Sequence, residues 1–185
     1  VHRRVRGDRQ GLGSPLNASL PLVQTASGLL LDSQDRMLLG LRASWKRVWP
    51  NVWDAIGGHL EPGESVEMAL ARELDEERGV TPTAYQLIGS FPGSRADLYG
   101  EALHHVFAVT AWTGGQPSNV CDEHSEIRWF TLEEVLALTP TTGFDFAHLF
   151  DLAKAARREV CAARYPRGAA SAVSLAWATS STEPM

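Results

Sequence analysis

Between Asp54 and Glu77 the chain carries eight acidic side chains and a single arginine or lysine, Arg72. Glycines bracket the block, with Gly57 and Gly58 near its start and Gly79 just after it. Ser65 reads as the N-cap of a helix whose first turn holds Glu67, where a negative charge suits the dipole. Gly79 is placed to end that helix in the left-handed conformation. Glu73, Glu76 and Glu77 stand at i, i+3 and i+4, so they share one face, with Asp75 beside them. Each like-charge pair at that spacing costs about 0.2–0.5 kcal/mol. Acids near a helix C-terminus also oppose the dipole, by roughly 0.3–1 kcal/mol each. A solvated acidic face is the plain alternative, but a helix chosen for stability alone would avoid both costs. A divalent cation reverses both signs, because carboxylate oxygens are the preferred ligands of Mg²⁺ and Mn²⁺. The spacing therefore predicts a hard-metal site on Glu73, Glu76 and Glu77, with Leu70 and Leu74 anchoring the opposite side in the core.

The rest of the composition is ordinary. With 185 residues, 44% hydrophobic and 21% charged, the chain suits one domain that folds without a disulfide or metal staple. A net charge of −5 argues against a nucleic-acid polymer as partner. Cys121 and Cys161 fit neither a metal spacing nor a disulfide framework, which implies a reducing, cytoplasmic setting. No run is apolar and long enough to predict a membrane span. The basic start, Arg3, Arg4, Arg6 and Arg9, is not followed by the apolar stretch of a signal peptide. Asn17-Ala18-Ser19 matches a glycosylation sequon, which matters only on a secretory route. The expected organisation is a tail over 1–20, a catalytic domain over 21–162 and a second tail over 163–185.

Periodicity predicts a hairpin from Leu29-Leu30-Leu31 through Asp32–Asp35 to Met37-Leu38-Leu39. A third strand is expected over Val52–Ile56. Strand-like runs follow at 85–91, 103–112 and 127–130. Thr131 is the expected N-cap of a short helix over 132–138, and 146–162 has the period of an amphipathic helix. Irregular alternation of strands and helices points to an α/β fold with a mixed sheet covered by helices.

The spacing from Gly58 is specific. Five residues separate Gly58 from Glu64, and seven more lead to Arg72-Glu73-Leu74. One residue then precedes Glu76-Glu77, and one more precedes Gly79-Val80. With residue frequencies of ~5–10%, a chance match at a given start is below about one in ten million. This pattern resembles a complete Nudix box, and the chain is similar to the Nudix hydrolase family. The resemblance implies an α/β/α sandwich that hydrolyses a nucleoside diphosphate linked to another group, using Mg²⁺ or Mn²⁺. Glu73, Glu76 and Glu77 are then metal ligands, and Gly58 adds a backbone carbonyl. Arg72 takes an orienting ion pair with Glu64 in that arrangement; the alternative is a surface i, i+4 pair with Glu76. Glu64 could itself reach the metal.

Outside the box, Asp122–Phe130 resembles a segment found late in many Nudix hydrolases, where a loop glutamate serves as ligand or general base. Glu123 is the first candidate and Glu126 the second; both could equally be ordinary loop carboxylates. Arg42 is either a phosphate contact or a solvated loop arginine. Trp45, Trp49 and Trp53 are candidates to stack on a base, with core packing the alternative for Trp53. Among substrates, a nucleoside triphosphate of the MutT type, including oxidised purines, comes first. Dinucleoside polyphosphates, ADP-ribose and nucleotide sugars follow. Lys46, Pro50, Trp53-Asp54, Gly58-His59 and Gly63-Glu64 also resemble isopentenyl diphosphate isomerase, but that enzyme needs a cysteine just before the Gly-His pair, where this chain has Ile56 and Gly57. A non-catalytic nucleotide-binding regulator would be expected to have lost box carboxylates, and none is lost. The expected partner is a small-molecule nucleotide, with a homodimer left open.

Overall fold

The computed structural model describes residues 22–164. The expected tails lie outside them, apart from the last residues of the final helix. Seven strands and four helices follow one another as β1 (Val23–Leu30), β2 (Met37–Arg42), β3 (Trp53–Asp54), β4 (Ile56–His59), α1 (Val66–Arg78), β5 (Thr81–Pro92), α2 (Ala96–Tyr99), β6 (Ala102–Thr113), β7 (His124–Phe130), α3 (Leu132–Ala137) and α4 (Phe146–Arg164). They form a four-stranded sheet in the order β4-β1-β6-β5 and a three-stranded sheet in the order β3-β2-β7. The larger sheet is mixed: β1 runs parallel to β6, while β4 and β5 are antiparallel to their neighbours.

The strands read as continuous apolar runs because both faces are covered. Along β6, Val106 and Ala108 join one core and Phe107 and Val109 join the other. Leu29 and Leu30 split the same way. Ala69, Leu70 and Leu74 of α1 close one side, and Phe146, Leu149 and Ala153 of α4 close the other. Each fully buried leucine contributes about 1.5–3 kcal/mol, so the helices are held chiefly by these faces. The result is the expected α/β/α sandwich. Among the described residues no helix is long and apolar enough to cross a membrane.

Helix α1 starts and stops where the sequence signals. Ser65 accepts a hydrogen bond from the Met68 amide at 3.2 Å, and Gly79 ends the helix at φ 68°. Thr131 and Glu134 form a reciprocal capping box on α3.

Two expectations about strands are corrected. Leu29–Leu39 is no hairpin: only Leu31 and Met37 bridge, and β1 and β2 then part into different sheets. The cause is that β1 already has a neighbour on each edge, β4 and β6, so β2 finds none free. The expected strand over 52–56 is likewise broken. Trp53-Asp54 pairs with β2, while the chain from Ile56 pairs with β1, so it changes sheets at Ala55. That crossing brings Gly57 and Gly58 alongside β1. The one-turn helix α2 was not anticipated, because 96–99 buries no residue and therefore shows no apolar period.

Strand β7 begins at His124, earlier than its apolar pattern suggests, and His124 packs its ring against Gly40 of β2. A side chain at position 40 would collide with that buried imidazole. Gly40→Ala should therefore lower the urea midpoint by an amount worth about 1–3 kcal/mol without altering the m-value. An unchanged midpoint would show that the ring has room to move.

Candidate active site

Arg72 sits at the centre of the acidic block and uses all five of its N–H donors. Nε and Nη2 donate to the two oxygens of Glu64 at 2.9 and 3.0 Å. Nη2 also reaches the His59 carbonyl at 2.9 Å. Nη1 donates to Glu73 at 2.8 Å and to Glu76 at 3.2 Å. The two pairings that the sequence leaves in competition, Glu64 and Glu76, are thus both made. Hydrogen bonding to Arg72, with the Glu61 amide adding to it, holds Glu64 below the usual carboxylate range. The 57–64 loop is thereby tied to the helix.

Beneath this clasp the charge is less well matched. Glu73 is 9% exposed and Glu77 only 3%. Burial raises the Glu73 carboxyl, Arg72 counters it, and the charges of Glu76 and Glu123 raise it again. Glu77 is pushed up to about 8, first by burial and then by repulsion from Glu73 and Glu123, against the attraction of Arg78. Neither Glu77 carboxylate oxygen has a hydrogen-bond partner. The nearest charge is Arg78, whose guanidinium stands 3.6 Å away. Arg78 is itself fully buried and donates to the Glu77 carbonyl, to Asn119 Oδ1 at 2.8 Å and to His124 Nδ1. Burial, and then the charge of Arg78, push His124 down to about 3, so the imidazole stays neutral and accepts at Nδ1. Asn119 in turn donates to the His124 carbonyl at 2.6 Å. This network docks the 118–124 loop on the end of α1 and so carries Glu123 back toward Glu73 and Glu77. Sequence reading missed it, because Arg78 occupies a spacer position of the box; its one visible trace is Gly40, which makes room for the ring.

Do these residues suit a cation? The buried, unpartnered oxygens of Glu77 are acceptors with nothing to accept from, in a setting that already repels a second negative charge. The Gly58 backbone lies so close to the Glu73 carboxylate that a Cβ at that glycine would overlap it. A hard cation fits such a donor set. Among the described residues no three acidic, histidine or cysteine side chains converge as a ready coordination shell. Arg72 draws Glu73 and Glu76 toward itself instead.

The glycines and Glu73 open onto a cavity of about 490 Å³. Arg42, Lys46, Asp54, Glu123 and Arg72 also line it. Lys46 is ion-paired with Glu123. Burial works to raise the Glu123 carboxyl, but the Lys46 contact outweighs it and holds the group below its ordinary range. Arg42 is largely committed to its own loop, donating to the carbonyls of Val48 and Trp49 at 3.0–3.2 Å, with Nη1 3.8 Å from Asp54. Two sequence candidates lie away from the cavity. Trp53 is 8% exposed and packs edge-on against Phe130, with ring centres 4.8 Å apart. Strand alternation turns it into the core, the alternative the sequence allows. Glu126 is an exposed residue of β7 opposite Leu41. On β6 the adjacent histidines differ: His104 lines the cavity and bonds Thr25 at 2.8 Å, whereas His105 is bonded to Ser90 and Gln24.

A family model described as the NUDIX domain matches residues 21–152. The chain is 33% identical over 134 residues to the isopentenyl-diphosphate Delta-isomerase of Leifsonia xyli subsp. xyli, covering 70% of this chain and 72% of that protein. It is 32% identical over 120 residues to the NAD-capped RNA hydrolase NudC of Stutzerimonas stutzeri, covering 64% of this chain but 40% of that one. Its fold matches a MutT NUDIX hydrolase from Burkholderia pseudomallei with a TM-score of 0.60 at 24% identity, over 67% of this chain and 92% of the other. The chain belongs to the Nudix family. It is a Nudix-family enzyme by its domain, and its named relatives divide between isomerisation and hydrolysis.

Asp54 supplies a test of the cavity's electrostatics. Burial pushes its carboxyl up to about 6, although Arg42, Thr142 and the Ala55 amide all favour the charged form. A folded pKa above the unfolded 3.8 means stability that is complete below about pH 4 and lost as pH rises through 6. Asp54→Asn should gain on the wild type by roughly 2–3 kcal/mol in unfolding free energy between pH 4 and pH 7.5. Parallel pH curves for the two proteins would contradict this.

Proposed function

We propose that the protein is a divalent-cation-dependent hydrolase that cleaves the pyrophosphate linkage of a nucleoside diphosphate derivative, a nucleoside triphosphate first. One observation carries the reading: Glu73 lines the cavity, and behind it on the same helix face Glu77 is buried and unsatisfied, where it suits a cation better than a proton. Glu73, Glu76 and Glu77 would hold Mg²⁺ or Mn²⁺, helped by the Gly58 carbonyl. When bound, such ions neutralise phosphate charge and acidify water. Arg72 and Glu64 orient the loop and the helix that carry these ligands. Lys46 and Arg42 line the cavity as positive charges suited to a polyphosphate. Glu123, kept ionised beside Lys46, is the proton acceptor. As the water oxygen bonds to phosphorus, its proton passes to the Glu123 carboxylate and the bridging P–O bond breaks, its electron pair leaving with the departing phosphate.

Isomerisation of isopentenyl diphosphate is the second reading, favoured by the names of several relatives. Position 57 speaks against it. Gly57 has φ 151°, and a side chain there would strike the carbonyl oxygen of Ala26 on the paired strand. The cysteine that such an isomerase requires at that point has no space on this backbone.

The test is a substrate panel of nucleoside triphosphates, dinucleoside polyphosphates, ADP-ribose, nucleotide sugars and isopentenyl diphosphate, each with Mg²⁺ and Mn²⁺. A nucleotide should be hydrolysed, and Glu76→Gln should lower that turnover by at least about 100-fold while circular dichroism stays unchanged. Undiminished turnover in the variant, or isomerisation with no nucleotide cleaved, would defeat the reading.

A further inference from the structure

The lining of the cavity includes an aromatic pair that the phosphate chemistry does not use. Trp49 and Tyr99 come together, their ring centres 5.5 Å apart and the planes tilted by 51°. Both line the same cavity as Gly57, Gly58 and Glu73. Trp49 takes an uncommon backbone conformation for a large side chain, with φ 51°. Its neighbour Asn51 is also left-handed, at φ 57°. The turn is not left to itself. Arg42 Nε donates to the Trp49 carbonyl at 3.1 Å, and Arg42 Nη2 donates to that of Val48 at 3.0 Å. The Asn51 amide donates to the Arg42 carbonyl at 3.0 Å. One of the cavity's few cations is thus engaged in holding a tryptophan in a strained turn at its wall. Core packing does not account for this, since Trp49 belongs to neither buried cluster.

We propose that Trp49, with Tyr99, is the seat of a planar nucleobase, so that this aromatic pair determines the class of substrate that is cleaved. The proposal rests on the nucleotide reading given above and deepens it. A base needs an aromatic face to stack on and hydrogen-bonding groups for its edges. Ser94 and His104 line the same cavity and carry such groups, His104 at Nε2, the ring nitrogen that does not face Thr25. An isoprenoid tail would need an apolar wall and could form no hydrogen bond with such groups.

Calorimetric titration of the full chain in Mg²⁺ buffer tests this, with two ligands: a hydrolysis-resistant nucleoside triphosphate analogue and inorganic tripolyphosphate. Trp49→Leu should weaken the analogue by about ten-fold or more, the size of a lost base–aromatic stack. Its affinity for tripolyphosphate should be unchanged, and Trp49→Phe should bind the analogue nearly as the wild type does. Equal analogue affinity in Trp49→Leu and wild type would overturn the seat while leaving the nucleotide reading standing. Equal loss for both ligands, with no recovery in Trp49→Phe, would also overturn it, because the residue would then serve only the fold. A wild type that binds tripolyphosphate but not the analogue would overturn both.

Discussion

The guanidinium of Arg72 holds five hydrogen bonds to three carboxylates and one carbonyl, and the geometry of the site follows from it. A planar fork can clasp Glu64 with two parallel bonds while its third nitrogen still points at Glu73 and Glu76; a lysine in the same place could not. The loop to Glu64 leaves the sheet after Leu60, whose amide donates to the Gln24 carbonyl of β1, so this clasp largely sets where it lies against α1. One positive charge faces three negative ones in that cluster. The acidic helix is consequently ordered without being neutralised, and an excess of negative charge is left at the cavity edge. The −5 of the whole chain describes this poorly, because a cation bound there would turn an acidic patch into one that attracts phosphate.

The fold contributes the second constraint. The change of sheet at Ala55 puts Asp54 in one sheet and Gly57 and Gly58 in the other, and all three line the cavity. The same crossing leaves Gly57 facing the Ala26 carbonyl, so close approach of two backbones excludes a side chain at the position where an isomerase would keep its cysteine. On the far side, Arg78 and His124 draw the 118–124 loop onto the helix end. Glu123 is thus delivered to the site by a buried polar network, although it lies more than forty residues from the box.

The helix of the box was legible residue by residue, since Ser65, Gly79 and the i, i+3, i+4 glutamates are local signals. The sandwich was legible too, because strands buried on both faces leave unbroken apolar runs such as Leu29-Leu30-Leu31. Sheet partnership was not: the pattern of Leu29–Leu39 is what a hairpin would show, and only the occupied edges of β1 forbid one. Trp53 and Trp49 illustrate the same limit. Both are tryptophans near the glycines, yet strand alternation sends the first into the core, while a left-handed turn gives the second to the cavity. Arg78 was hidden because a buried arginine is recognised by its partners, Asn119 and His124, which are distant in sequence.

In the proposed function Glu77, buried and unsatisfied, holds a divalent cation together with its helix neighbours Glu73 and Glu76. Electron paramagnetic resonance of Mn²⁺ titrated into the metal-stripped full chain reads this directly, without any substrate. The wild type should remove the signal of free aqueous Mn²⁺, and Glu77→Gln, folded by circular dichroism, should leave most of it in solution. Equal depletion by both proteins, or none by the wild type, would contradict the account.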